Sequence, residues 1–132
     1  MSLLIGKHIK DVLYSDEEII GRVERRIYPL VIPEGTPRYP FIVFQNLGVQ
    51  PDYTKDGSDQ DDVSVQITVI GKKYDESVEI ANIIRYDFEG LSADYKEFTV
   101  NECEVSSSGE EYVMEVDAYA VKIIFNFKTN DK

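Results

Sequence analysis

Tryptophan is absent from the 132 residues, and cysteine and histidine occur once each, as Cys103 and His8. A lone thiol excludes an internal disulfide and leaves the redox compartment open. One imidazole and one thiol also fall short of the ligands that a closed tetrahedral zinc site needs. His8 and Cys103 lie in distant segments, and nothing in their spacing suggests a nucleophile and its base. Both read as structural or surface residues. Cations are scarce too: 14 Lys and Arg stand against 25 Asp and Glu, which leaves a formal charge of −11 and a pI near 4.4. Phosphate-backbone binding depends on clustered cations and counterion release, so this balance argues against nucleic acid as a direct ligand. It argues equally against anionic membrane surfaces. No long apolar run is present, and the opening MSLLIGKHIKD is too short for a signal sequence. The expectation is a soluble protein made in a cytoplasm.

What is present suffices for one α+β domain over residues 1–132, with a hydrophobic fraction of 42%. The strongest stretch is 61–91. Val63, Val65, Ile67 and Val69 alternate with Ser64, Gln66 and Thr68, the period of a half-buried strand. After Gly71 the period lengthens, and Val78, Ala81, Ile84, Phe88 and Leu91 recur three and four apart, widened by Ile80 and Ile83. That is an amphipathic helix, with Asp75 as its expected cap and Gly90 as its stop.

Around this pair the rest is arranged in order. Residues 3–14 predict a first helix capped by Ser2, and 15–20 a short second turn ended by Gly21; together they form an N-terminal helical segment over 1–20. Residues 22–32 carry Pro29, so any strand there lies at an edge or is very short. Residues 40–47 read as an interior strand, apolar on both faces, and 48–62 as a polar link, either a long hairpin loop or an insertion. A weaker strand at 98–105 leads to a hairpin turn at 106–111, with Gly109 available for positive φ. The last strand, 112–127, changes phase, which predicts a bulge or bend at 117–120; the tail 128–132 is expected to fray. The predicted fold is a mostly antiparallel sheet of four to five strands, packed by one main helix, plus an N-terminal helix.

Candidate chemistry is sparse. Asp52, Asp56, Gly57, Asp59, Asp61 and Asp62 resemble a calcium loop in part, but Thr54 and Val63 replace two needed carboxylates, and strands flank it where helices are required. It reads as a solvated acidic loop and, with Tyr53, as a candidate interface loop. Gly-rich phosphate cradles are missing, since the glycines are isolated. Arg25, Arg26, Tyr28 and Arg38 form a candidate basic or edge patch, with Arg22 beside them. No residue set supports catalysis, and neither a metal nor a cofactor is expected.

Several of these segments recur in a familiar order: Arg26 to Pro29, a Pro/Gly loop, Tyr39 to Phe44, Asp56-Gly57, Val65 to Val69, Tyr74 to Ser77, and Ile80 to Arg85. The chain thereby resembles the tail-completion family of tailed bacteriophages and prophages, whose members are similar to tail terminators and head–tail joining proteins. The resemblance covers about 20–91 and rests on the ordered set rather than on any one motif. It implies a small subunit that joins a ring, expected as a hexamer, at the head-proximal end of the tail tube. Such a ring stops polymerisation of the tail tube protein and presents a surface to the head connector. It implies a place in the virion tail or neck, and no catalytic residue. Another virion joint, a head-completion adaptor or minor tail protein, is the nearest alternative; a host-encoded binding module or small enzyme is the third.

Overall fold

The computed structural model describes residues 2–35, 38–53 and 59–132. Among these residues, three helices lie on one face of a six-stranded mixed sheet of order β1-β2-β3-β6-β5-β4. The helices are α1 (Ile5–Ser15), α2 (Glu17–Val23) and α3 (Tyr74–Phe88). The strands are β1 (Ile27–Pro29), β2 (Phe41–Tyr53), β3 (Asp59–Gly71), β4 (Ala93–Asp94), β5 (Phe98–Val113) and β6 (Ala118–Asp131). All neighbours are antiparallel except β1, which runs parallel to β2. The α+β reading holds, with two corrections: there are three helices, and the sheet has six strands. The extra strand is β4, which has two residues, too short for periodicity to register.

The core follows from the two periods. Val63, Val65, Ile67 and Val69 are fully buried, and α3 turns Ile80, Ala81, Ile84 and Phe88 down onto them. On the adjacent β6, Val121, Ile123, Phe125 and Phe127 face the same layer. Each fully buried Ile, Val or Phe of this kind contributes about 1.5–3 kcal/mol of transfer free energy. α1 adds Ile5, Ile9 and Leu13, and α2 adds Ile19 and Val23.

Helix ends depart from the expected caps. Leu4, not Ser2, stands at the start of α1 and donates no side-chain cap, while Ser2 is itself buried. α2 is capped by Asp16, whose carboxylate accepts from the Glu18 and Ile19 amides at 2.8 and 3.2 Å. Gly21 lies inside that helix, which ends at Glu24 with φ of 57°. Asp75 sits in the first turn of α3 with Glu76, where the positive end of the helix dipole favours both, and Lys73 precedes the helix. Gly90, at φ 81°, turns the chain out as expected, and its amide donates to the Cys103 carbonyl.

Three strand readings are corrected. The expected hairpin turn at 106–111 is continuous strand: β5 runs through it, and the reversal comes at 114–117, where Asp117 adopts φ of 51°. Consequently the expected bulge or bend at 117–120 is not found: of these residues only Asp117 belongs to the turn, and the ladder runs regularly from Val113↔Ala118. The bulges fall on β5 instead, between Val100 and Glu102 and between Val105 and Ser107. The first of these moves burial from Phe98 and Val100 to Cys103, a shift of phase that alternation alone cannot foresee. The tail does not fray: β6 continues to Asp131, and the Lys132 amide donates to the Glu97 carbonyl.

Gly71 closes β3 where α3 approaches. A Cβ there would lie 2.5 Å from Ser77 Oγ, and Ser77 is fully buried with its hydroxyl donating to the Lys73 carbonyl at 2.9 Å. Gly71→Ala is therefore expected to cost about 1–3 kcal/mol by overpacking. Adding Ser77→Ala should recover most of that loss. Urea unfolding of both variants checks it, and additive costs would refute the contact.

Candidate interaction surfaces

The candidate interface loop is mostly ladder. Tyr53 ends β2 and Asp59 opens β3, and the two are paired across the hairpin. Asp61 is buried at 5% exposure, and Asp62 pairs with Lys128 Nζ at 3.0 Å. Thus 48–62 is largely two paired strands, not a free loop; Asp56 and Gly57 lie outside the described residues. A bulge at Asn46/Gly48 keeps the hairpin in register, with the Asn46 side chain accepting from the Gly48 amide at 2.9 Å. Among the described residues, no group of three or more carboxylate, imidazole or thiol side chains converges as a metal site.

The basic candidates do come together. Arg25, Arg26, Tyr28 and Arg38 line one depression of about 360 Å³ beside β1, with Ile32 and Pro33 on its wall and Glu24 and Glu34 at its rim. Their duties differ. Arg26 is committed to the fold: Nε donates to the Pro40 carbonyl at 3.0 Å and one terminal nitrogen donates to Glu24 at 2.9 Å. Arg25 and Arg38 are exposed, and the Arg25 guanidinium stands 5.9 Å from the Tyr14 ring centre. Arg22 is spoken for by Glu79 at 2.9 Å and by Glu18.

His8 and Cys103 occupy separate places in the core. His8 is fully buried, with its ring edge-on to Phe88, Tyr95 and Phe127. Its Nδ1 is 2.7 Å from the Tyr95 hydroxyl, which donates to Asp11 at 3.1 Å. Burial lowers its pKa to about 4, so the ring is neutral at pH 7. Burial also pushes the Cys103 thiol up to about 12, which removes the thiolate a nucleophile needs.

One titrating pair escaped the sequence reading. Asp16 and Asp87 are far apart in the chain, but α3 sets Asp87 against the α2 cap. Burial and a hydrogen bond to the facing Asp16, with Glu18 nearby, raise Asp87 to about 7. That hydrogen bond, with the Ile19 and Glu18 amides, holds Asp16 below the usual carboxylate range. The pair shares a proton near neutrality: one carboxyl stays ionised to cap a helix, and the other stays neutral to donate to it.

Comparison with known proteins bears on what such surfaces do. The family model described as tail completion protein gp17 matches residues 7–129. No curated protein matches the chain. Among solved structures, a chain of the virion of a native gene transfer agent (GTA) particle has a TM-score of 0.81 at 13% identity. The match covers 94% of this chain and 92% of that one, so the whole fold is shared. Among the described residues no helix is long and apolar enough to cross a membrane.

The shared proton gives stability a pH dependence whose sign is fixed. Because the folded pKa of Asp87 lies above its unfolded value, its contribution is complete in acid and fades as pH rises toward about 7. Asp16 works in the opposite direction and loses its contribution only in stronger acid. Asp87→Asn, which keeps a donor facing Asp16, should therefore melt higher than the parent at about pH 8, with the gap narrowing steadily as pH falls and closing only near about pH 4. Thermal melts across that range check this; parallel curves for the two proteins would refute the shared proton.

Proposed function

We propose, from the premise that this chain belongs to the tail completion protein gp17 family and is a structural component of a phage-type tail, that it closes the head-proximal end of the tail tube as a ring. In that position it stops tube growth and offers the head connector a docking surface. The observation that carries this reading is the family match over residues 7–129, which reaches from the first helix into the last strand. The fold shared with a chain of a gene transfer agent virion is in keeping with it.

The physical character of the chain suits the role. At −11 per subunit, a ring repels phosphate, so a genome passing through its lumen slides without the counterion release that would hold it. Among the described residues the sheet also ends in a long stretch without a strand partner: on its outer side β5 is paired by β4 at Thr99 and Val100 and by no other strand. Such edges are usable by neighbouring chains. The tail tube protein and the connector are the partners this reading requires, and synthesis in the host cytoplasm precedes incorporation into the virion.

Purified protein mixed with isolated tail tubes should appear in negative-stain images as a single extra density at one end of each tube. Added to polymerising tube protein, it should halt elongation. Decoration of isolated connectors with bare tube ends would instead make the chain a head-completion adaptor. Binding to neither would overturn the reading.

A further inference from the structure

The two ends of the sheet carry surfaces of opposite shape and opposite charge. At the β1 end, the segment after the strand projects Leu30, Val31 and Ile32, exposed at 64%, 72% and 39%. Leu30 holds a φ of 65°, and its amide donates to the Phe44 carbonyl, so the projection is anchored to β2. Three consecutive exposed aliphatic side chains make a contiguous apolar projection rather than singly scattered surface residues. It lies within 22–40, which carries four arginines against two glutamates in a chain that is strongly acidic elsewhere.

At the other end, α3 does not cover β5. Between them runs a groove of about 440 Å³, floored by Val78, Ala81, Val105, Val121 and Ile123, with Glu110 at its β5 margin and Arg85, paired with Glu89, on the helix side. The strand and turn beside it, 102–117, hold six carboxylates and no cation. Beyond Cys103, whose carbonyl accepts from Gly90, no described strand pairs with the outer edge of β5. The projection and the groove are separated by four inter-strand spacings, roughly 19 Å across the sheet.

We infer that the Leu30–Ile32 projection of one subunit seats in the α3/β5 groove of a second copy of this chain, with the Arg25 and Arg38 surface set against the acidic β5 margin. The contact is head-to-tail: each subunit gives a projection at one edge and receives one at the other. Repetition of such a contact closes a ring when the rotation between subunits divides a circle. The aliphatic side chains leave water in a pocket already lined by aliphatic carbons, and the charges choose which edge meets which. The inference rests on the ring reading above and supplies its contact surface.

A paired-cysteine variant tests it. Val31→Cys combined with Ser108→Cys places one thiol on the projection and one at the groove, while Cys103 is buried and inert. Mild oxidation should give a ladder of linked species that stops at the ring size, and either single variant should give none beyond the linked pair. Separately, Val31→Asp should raise the concentration for half-assembly by about tenfold or more in light scattering, with the melting temperature unchanged because Val31 is exposed. Oligomers that persist in Val31→Asp and never form the linked ladder would overturn this contact while leaving the ring in place. A linked ladder without an upper limit would keep the contact and refute ring closure. A chain that stays monomeric at all concentrations and never links would overturn the contact outright, and the tube-end experiment would then decide the ring on its own.

Discussion

Phe88 is where the layers are joined. Its ring stands 5.3 Å from Phe125 and 6.0 Å from Phe127 on β6, and 5.8 Å from the His8 ring of α1. One side chain on the last turn of α3 thus connects the first helix, the main helix and a central strand. Its contacts are tilted or edge-on, the arrangements that aromatic quadrupoles favour. Removing a buried Phe of this kind costs about 3–5 kcal/mol, a large part of what a domain this size has to spare. α1 thus reaches the sheet through this cluster as well as by its packing on β2.

That constraint also decides what is left uncovered. α3 lies over β3 and β6, the middle of the sheet, and α1 and α2 extend the cover toward β2. Nothing equivalent extends it toward β5. The sheet is therefore well buried at its centre and open at one margin, while the segment leaving β1 puts three aliphatic side chains outside at the other. A subunit finished at its centre and unfinished at both edges suits repeated association better than solitary binding.

Legibility in the sequence followed the length of the signal. Alternation over Val63 to Val69 and the three–four spacing from Val78 to Phe88 were long enough to give strand, helix and facing surfaces. Pro29 correctly marked an edge strand, because proline lacks the amide an interior ladder requires. Where composition stood in for geometry, the reading failed. SSSGEE has turn-forming residues, yet it runs as strand because its partner on β6 continues opposite it from Ala120 to Ile124. The polar ends at 48–53 and 128–131 looked like loop and tail, and they pair because the neighbouring strands extend just as far. Arg25, Arg26, Tyr28 and Arg38 line one depression because three lie close together in the chain and the link from β1 to β2 returns the fourth.

The sequence by itself determined the acidic character, the scarcity of histidine and cysteine, the strand–helix unit at the centre and the class of fold. Each is local or compositional: a period, a count or a cap within reach of one turn. Tertiary structure alone decided that Asp87 meets Asp16, that Tyr95 reaches His8, that β5 bulges, and that a groove opens between α3 and β5. Those depend on pairs of residues tens of positions apart, and no local pattern encodes which of them a folded sheet will bring together. Register and helix placement are settled jointly by burial over the whole core, which is why they become visible only once the chain has closed on itself.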